Sequence, residues 1–116
     1  MTRAAAITKE VGAEKLWAGR VRVAPAVKAA PHHHGELETI IYVVKGKARY
    51  RWGNNLEFVV DAEPGDFIYI PPFVPHQEIN ASDEMVTEVI VVRSGQDPIV
   101  VSLDIVGPDE MRVKGS

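Results

Sequence analysis

Residues 31–46, Pro-His-His-His-Gly-Glu-Leu-Glu-Thr-Ile-Ile-Tyr-Val-Val-Lys-Gly, restrict the fold of this chain more than any other stretch. The run Ile40 to Val44 is apolar and mostly β-branched, and Gly46 closes it, which is the pattern of a stiff strand with something to cover on both faces. In an extended chain alternate side chains share a face, so His32 and His34 can converge on one ion while His33 points away. Imidazoles with a nearby carboxylate, here Glu38, form a donor set for iron, zinc, manganese, nickel or copper. The chain has 4 histidines. The remaining one, His76, follows a second strand-like stretch, Phe67 to Ile70, and a proline-rich turn, Pro71 to Pro75.

The rest of the chain is read as short strands punctuated by turns. Gly19 to Val23 alternates charged and apolar residues, a half-buried strand by its period of two. Pro25 and Pro31 bracket a loop. A strand over 37–45 turns at Gly46 into 47–52, and Gly53-Asn54-Asn55 is hairpin punctuation, because Gly and Asn accept positive φ most readily. Strands over 56–60, 66–70, 76–80, 86–93 and 99–101 follow. Only residues 8–17 carry any helical character, and Trp17 is expected to anchor that segment to the body. So many short strands at regular spacing predict an all-β sandwich or barrel. The expected organisation is a peripheral N-terminal segment (1–19), a barrel domain (20–106) and a polar tail (107–116).

Residues 32–46 and 65–80 together resemble the two signature motifs of the cupins, in particular the small single-domain members of the RmlC-like superfamily. The first motif reads His-x-His, three or four residues, Glu, six residues, Gly, and is met by His32, His34 and Gly46. The second reads Gly, five residues, Pro-x-Gly, two residues, His, three residues, Asn, and is met by Gly65, Pro71, His76 and Asn80. The resemblance implies a double-stranded β-helix, or jelly-roll barrel, with one divalent transition metal held by His32, His34, Glu38 and His76. Two positions depart from it. Thr39 stands with six residues between it and Gly46, where the family has Glu, so that Glu38 as a ligand requires a β-bulge near 38–40; without one, Thr39 faces the ion. Phe73 stands where the family has Gly, so the turn is expected to be made differently, by the surrounding prolines. Asn80 is assigned a structural role. Glu78 shares a strand face with His76 and is therefore expected inside the barrel, where an unpaired charge is costly; it is the candidate catalytic acid or base.

Composition narrows the function. With 13 Lys+Arg against 16 Asp+Glu, the net charge of −3 offers no footprint for nucleic acid. There is no cysteine, which excludes disulfides, thiolate metal sites and a cysteine nucleophile. No run is long enough for a membrane span or a signal peptide, so a cytoplasmic protein is expected. The double-faced apolar strand and the apolar residues Ile99 to Val101, Leu103, Ile105 and Val106 predict a homodimer. The function expected is that of a metal-dependent enzyme, dioxygenase-like or isomerase-like, on a small organic metabolite; the alternative is a non-catalytic binding or sensor module.

Overall fold

In the computed structural model, which describes residues 1–105, ten strands and one 3-10 turn follow each other along the chain. The strands are β1 (Thr2–Ile7), β2 (Trp17–Val23), β3 (His32–His33), β4 (Thr39–Lys45), β5 (Ala48–Trp52), β6 (Phe58–Ala62), β7 (Phe67–Ile70), β8 (His76–Ile79), β9 (Thr87–Arg93) and β10 (Val101–Ser102). They form two antiparallel five-stranded sheets, ordered β1-β2-β9-β4-β7 and β10-β3-β8-β5-β6. Apart from the β1–β2 and β5–β6 pairs, successive strands pass from one sheet to the other, which is the double-stranded β-helix expected from the motifs.

Alternation decides what each strand buries. In β4, Thr39, Ile41 and Val43 face inward, while Ile40, Tyr42 and Val44 are exposed. In β9, Thr87, Val89, Val91 and Arg93 face inward. The core joins Val21 and Val23 of β2, Ile41 and Val43 of β4, Val89 and Val91 of β9 and, from the other sheet, Ala48 and Tyr50 of β5 and Ala62 of β6. Gly46 has φ +78, and a Cβ there would lie 2.6 Å from the Val86 carbonyl oxygen. Any other residue would push β4 off β9 at that corner.

Several boundaries differ from the expectations. Residues 2–7 join the first sheet as an edge strand on β2, with all six residues exposed. The helical character expected over 8–17 is confined to a 3-10 turn at Lys9–Val11, capped by the Thr8 hydroxyl. Leu56 belongs to the hairpin turn rather than to β6, and is fully buried with φ 54. The turn at Phe73 is not remade by prolines: Phe73 itself takes the left-handed conformation, φ 62, with its N–H donating to the Gly35 carbonyl. The polar tail expected over 107–116 lies outside the described residues. Among the described residues no helix is long and apolar enough to cross a membrane.

Candidate metal centre

Strand register places the site. On the first sheet Trp17 pairs with Arg93, Arg93 with Thr39, and Thr39 with Ile70, so these four lie in one row across β2, β9, β4 and β7. On the second sheet Ser102, His32, His76, Trp52 and Phe58 form the corresponding row across β10, β3, β8, β5 and β6. His32, His34 and His76 come together, each offering a ring nitrogen, with the three atoms all within 4.8 Å of one another. Their ring centroids are 4.5 to 5.2 Å apart.

Backbone carbonyls fix all three rings. Nδ1 of His32 lies 2.7 Å from the Ala30 oxygen, Nδ1 of His34 2.9 Å from that of Ile99, and Nδ1 of His76 3.0 Å from that of Val74. A carbonyl can only accept, so each Nδ1 carries the proton, and in the neutral ring it is Nε2 that offers the lone pair. The Nε2 of His76 is buried with no hydrogen-bond partner among the described residues. An unpaired buried acceptor is costly, and a metal ion is the partner that this donor set fits. Burial also holds His34 and His76 in the neutral, ligating form. It lowers the pKa of His34 to about 4, with Arg93 acting the same way and the Ile99 carbonyl opposing. For His76, burial brings the value to about 3 against the opposing Val74 carbonyl.

His33 is turned out of the cluster. Its Nδ1 accepts from the Gly35 N–H at 2.9 Å, which gives it the opposite tautomer, and its ring meets Phe73 edge-on at 5.8 Å.

Glu38 is corrected by the register. β4 pairs without interruption from Thr39 to Tyr42 on both sides, so the bulge that would bring Glu38 inward is absent there. Glu38 is exposed outside the histidine cluster, and its carboxylate accepts from the Tyr69 hydroxyl at 2.7 Å. That hydrogen bond is the main cause of the raised pKa of Tyr69. Thr39 takes the inward place, and its Oγ1 is buried without a partner.

Glu78 is half-buried on β8 opposite Tyr50. Burial pushes its carboxyl up, while His32, Arg3 and Arg93 pull it back towards the charged form. Asn80 is a structural lock, as expected. Its side-chain N–H groups donate to the carbonyls of Val23, Ala24 and Met85, and its oxygen accepts from the Ser82 N–H. Beside His76 opens a cavity of about 330 Å³ whose walls include Tyr50, Trp52, Val60, Ile68 and Val74. The sequence reading missed Arg93. The signal available was its place as the last odd-numbered residue of the Thr87, Val89, Val91 face.

The cupin domain family model matches residues 19–93. Among solved structures, the polyketide cyclase RemF from Streptomyces resistomycificus superposes with TM-score 0.77 at 23% identity, covering 99% of this chain and 78% of that one. An uncharacterised conserved protein with a double-stranded β-helix domain from Klebsiella pneumoniae gives 0.73 at 18% identity, covering 89% and 84%. KdgF from Halomonas sp. gives 0.68 at 22% identity, covering 82% and 78%. At these identities the likeness is one of fold. Two histidine motifs, two sheets that close on them and a family match through the barrel agree: the chain belongs to the cupin domain family.

Proposed function

We propose that this cupin is a metal-dependent enzyme that acts by proton transfer on a small organic molecule, with one divalent transition metal held by His32, His34 and His76. The observation that carries this reading is the commitment of each Nδ1 to a backbone carbonyl, which leaves Nε2 of each ring to ligate, with the ligating nitrogens of the three rings within 4.8 Å of one another. Three neutral imidazoles are a donor set of catalytic zinc sites, whereas many iron oxygenases use two histidines and a carboxylate. With Glu38 outside the cluster, the isomerase-like reading is favoured over the dioxygenase-like one. A bound ion would supply an electrophile for a substrate oxygen.

The chain's own residues would do the rest. Glu78, two residues from His76 on β8, would hold or release a proton. Tyr50, Trp52 and Val74 would give a substrate an apolar wall to lie against. The fold likeness to a polyketide cyclase supports an enzyme, and an interior carboxyl beside the ligands weighs against a passive sensor. Metal analysis by mass spectrometry tests the reading. Wild type should bind one equivalent of zinc, and His34→Ala and His76→Ala should each lose most of it while keeping a β-type circular dichroism spectrum. Glu78→Gln should retain the ion and lose roughly 10²–10⁴-fold in turnover. Stoichiometric metal in both histidine variants would overturn the site.

A further inference from the structure

The row across the first sheet carries more polar capacity than the protein itself uses. Arg93 is 6% exposed, yet its Nε is buried without a hydrogen-bond partner, and no described carboxylate forms a salt bridge with it. Its guanidinium lies 4.7 Å from the centre of the Trp17 ring, a contact that shelters the charge without neutralising it. A buried cation without a salt-bridge partner is costly, and an apolar residue of the same size would be cheaper. Thr39, its cross-strand neighbour, leaves Oγ1 unpaired at 3% exposure. Arg3, from the edge strand, adds a second positive charge felt by both Arg93 and His34. Glu78 is the carboxyl that Arg93 feels, and among the described residues the two form no salt bridge.

At the other end of the same two rows the lining turns apolar. Ile70 and Trp52, with His76 between polar and apolar halves, open onto the 330 Å³ cavity. At ~30 Å³ per water, that volume holds about ten water-sized groups, enough for a single ring with a short arm. We propose that Arg93 and Thr39 form an anion subsite, and that the substrate is a small amphipathic carboxylate with its charged end on Arg93 and its apolar body in the Trp52 cavity. A planar guanidinium matches a carboxylate in two-point fashion, and the apolar walls select the body behind it. The assignment names the substrate class for the metal site proposed above and in that sense rests on it, but the anion preference itself needs no metal.

The test uses two probes of one shape, phenylacetate and phenylacetamide, titrated calorimetrically into metal-free and zinc-loaded full-length protein. In the metal-free protein a preference for the carboxylate cannot come from the ion. There phenylacetate should bind at least about tenfold more tightly than the amide, the least that a charge-assisted hydrogen bond provides. Arg93→Met should bring the ratio close to one, and Thr39→Val should weaken phenylacetate several-fold, both without loss of zinc stoichiometry. If Arg93→Met does not fold, the wild-type ratio and Thr39→Val still decide. Equal affinities in wild type, no measurable phenylacetate binding, or an unchanged ratio in folded Arg93→Met would each overturn the subsite. Stoichiometric zinc with equal probe affinities leaves the metal centre standing without it. A carboxylate preference in protein that takes up no zinc does the reverse.

Discussion

At the scale of single residues, His34 and His76 behave unlike free imidazoles. Unfolded, each would titrate near 6.5; folded, His34 resists protonation until about 4 and His76 until about 3. Between those limits the unfolded chain binds more protons than the folded one. The stability of metal-free protein should therefore be flat in these two groups above pH 6.5 and fall as the pH drops below it. Each histidine contributes a slope of about 1.4 kcal/mol per pH unit in the window. Urea midpoints of chelator-treated protein at pH 7.5, 6 and 5 check this, and equal midpoints would contradict it. The histidine cluster was legible because strand parity separates His32 and His34 from His33 and because His76 is the one further histidine in the chain. The choice between Glu38 and Thr39 was not, since a bulge depends on how two neighbouring strands pair and leaves no mark in one of them. Phe73 hid for another reason. Sequence statistics assign a left-handed φ to Gly, yet Phe73 holds it at a cost of roughly 1–2 kcal/mol, with its N–H bonded to Gly35 and its ring against His33.

At the scale of elements, β3 is only His32–His33, too short to stand alone. β8 holds it on one side and β10 on the other, with Ser102 opposite His32 and the Leu103 N–H donating to the Pro31 carbonyl. The same C-terminal segment supplies the Ile99 carbonyl that orients His34. Ending the chain at Pro98 should thus weaken zinc by roughly 10–100-fold, as loss of a ligand's hydrogen-bond partner does, while the core between β2, β4, β5 and β9 stays folded. Competition with a chromophoric chelator measures the affinity, and unchanged zinc binding would refute the role given to β10. The inner strands were readable from alternation alone, because burial enforces a period of two. The edge strand β1 was not: Thr-Arg-Ala-Ala-Ala-Ile buries nothing and becomes a strand only because β2 offers it a row of hydrogen-bonding groups.

At the scale of the whole molecule, one sheet face is unfinished. Ile40, Tyr42 and Val44 of β4 and Phe67 and Tyr69 of β7 stand together on the outside, Phe67 at 71% exposure and 4.8 Å from the Tyr42 ring. Towards β2 the face becomes charged, with Arg20 and Arg22 both paired to Glu88. We propose that a second copy covers the apolar half through a closed two-fold contact. Light scattering at micromolar concentration should give a dimer mass for wild type and a monomer mass for Phe67→Arg; a monomeric wild type would remove the proposal. The carbonyls that aim the three ligands belong to Ala30, Val74 and Ile99, spread across most of the sequence. On a ribosome, at roughly 5–20 residues per second, the sheets around Ile41 and Val43 could begin to close once β9 had emerged, while residues beyond Arg93 were still inside the exit tunnel. His34 would reach its final aim only after Ile99 had emerged from the exit tunnel. The centre is therefore a late product of synthesis, and an ion that arrived earlier would find imidazoles without a common direction.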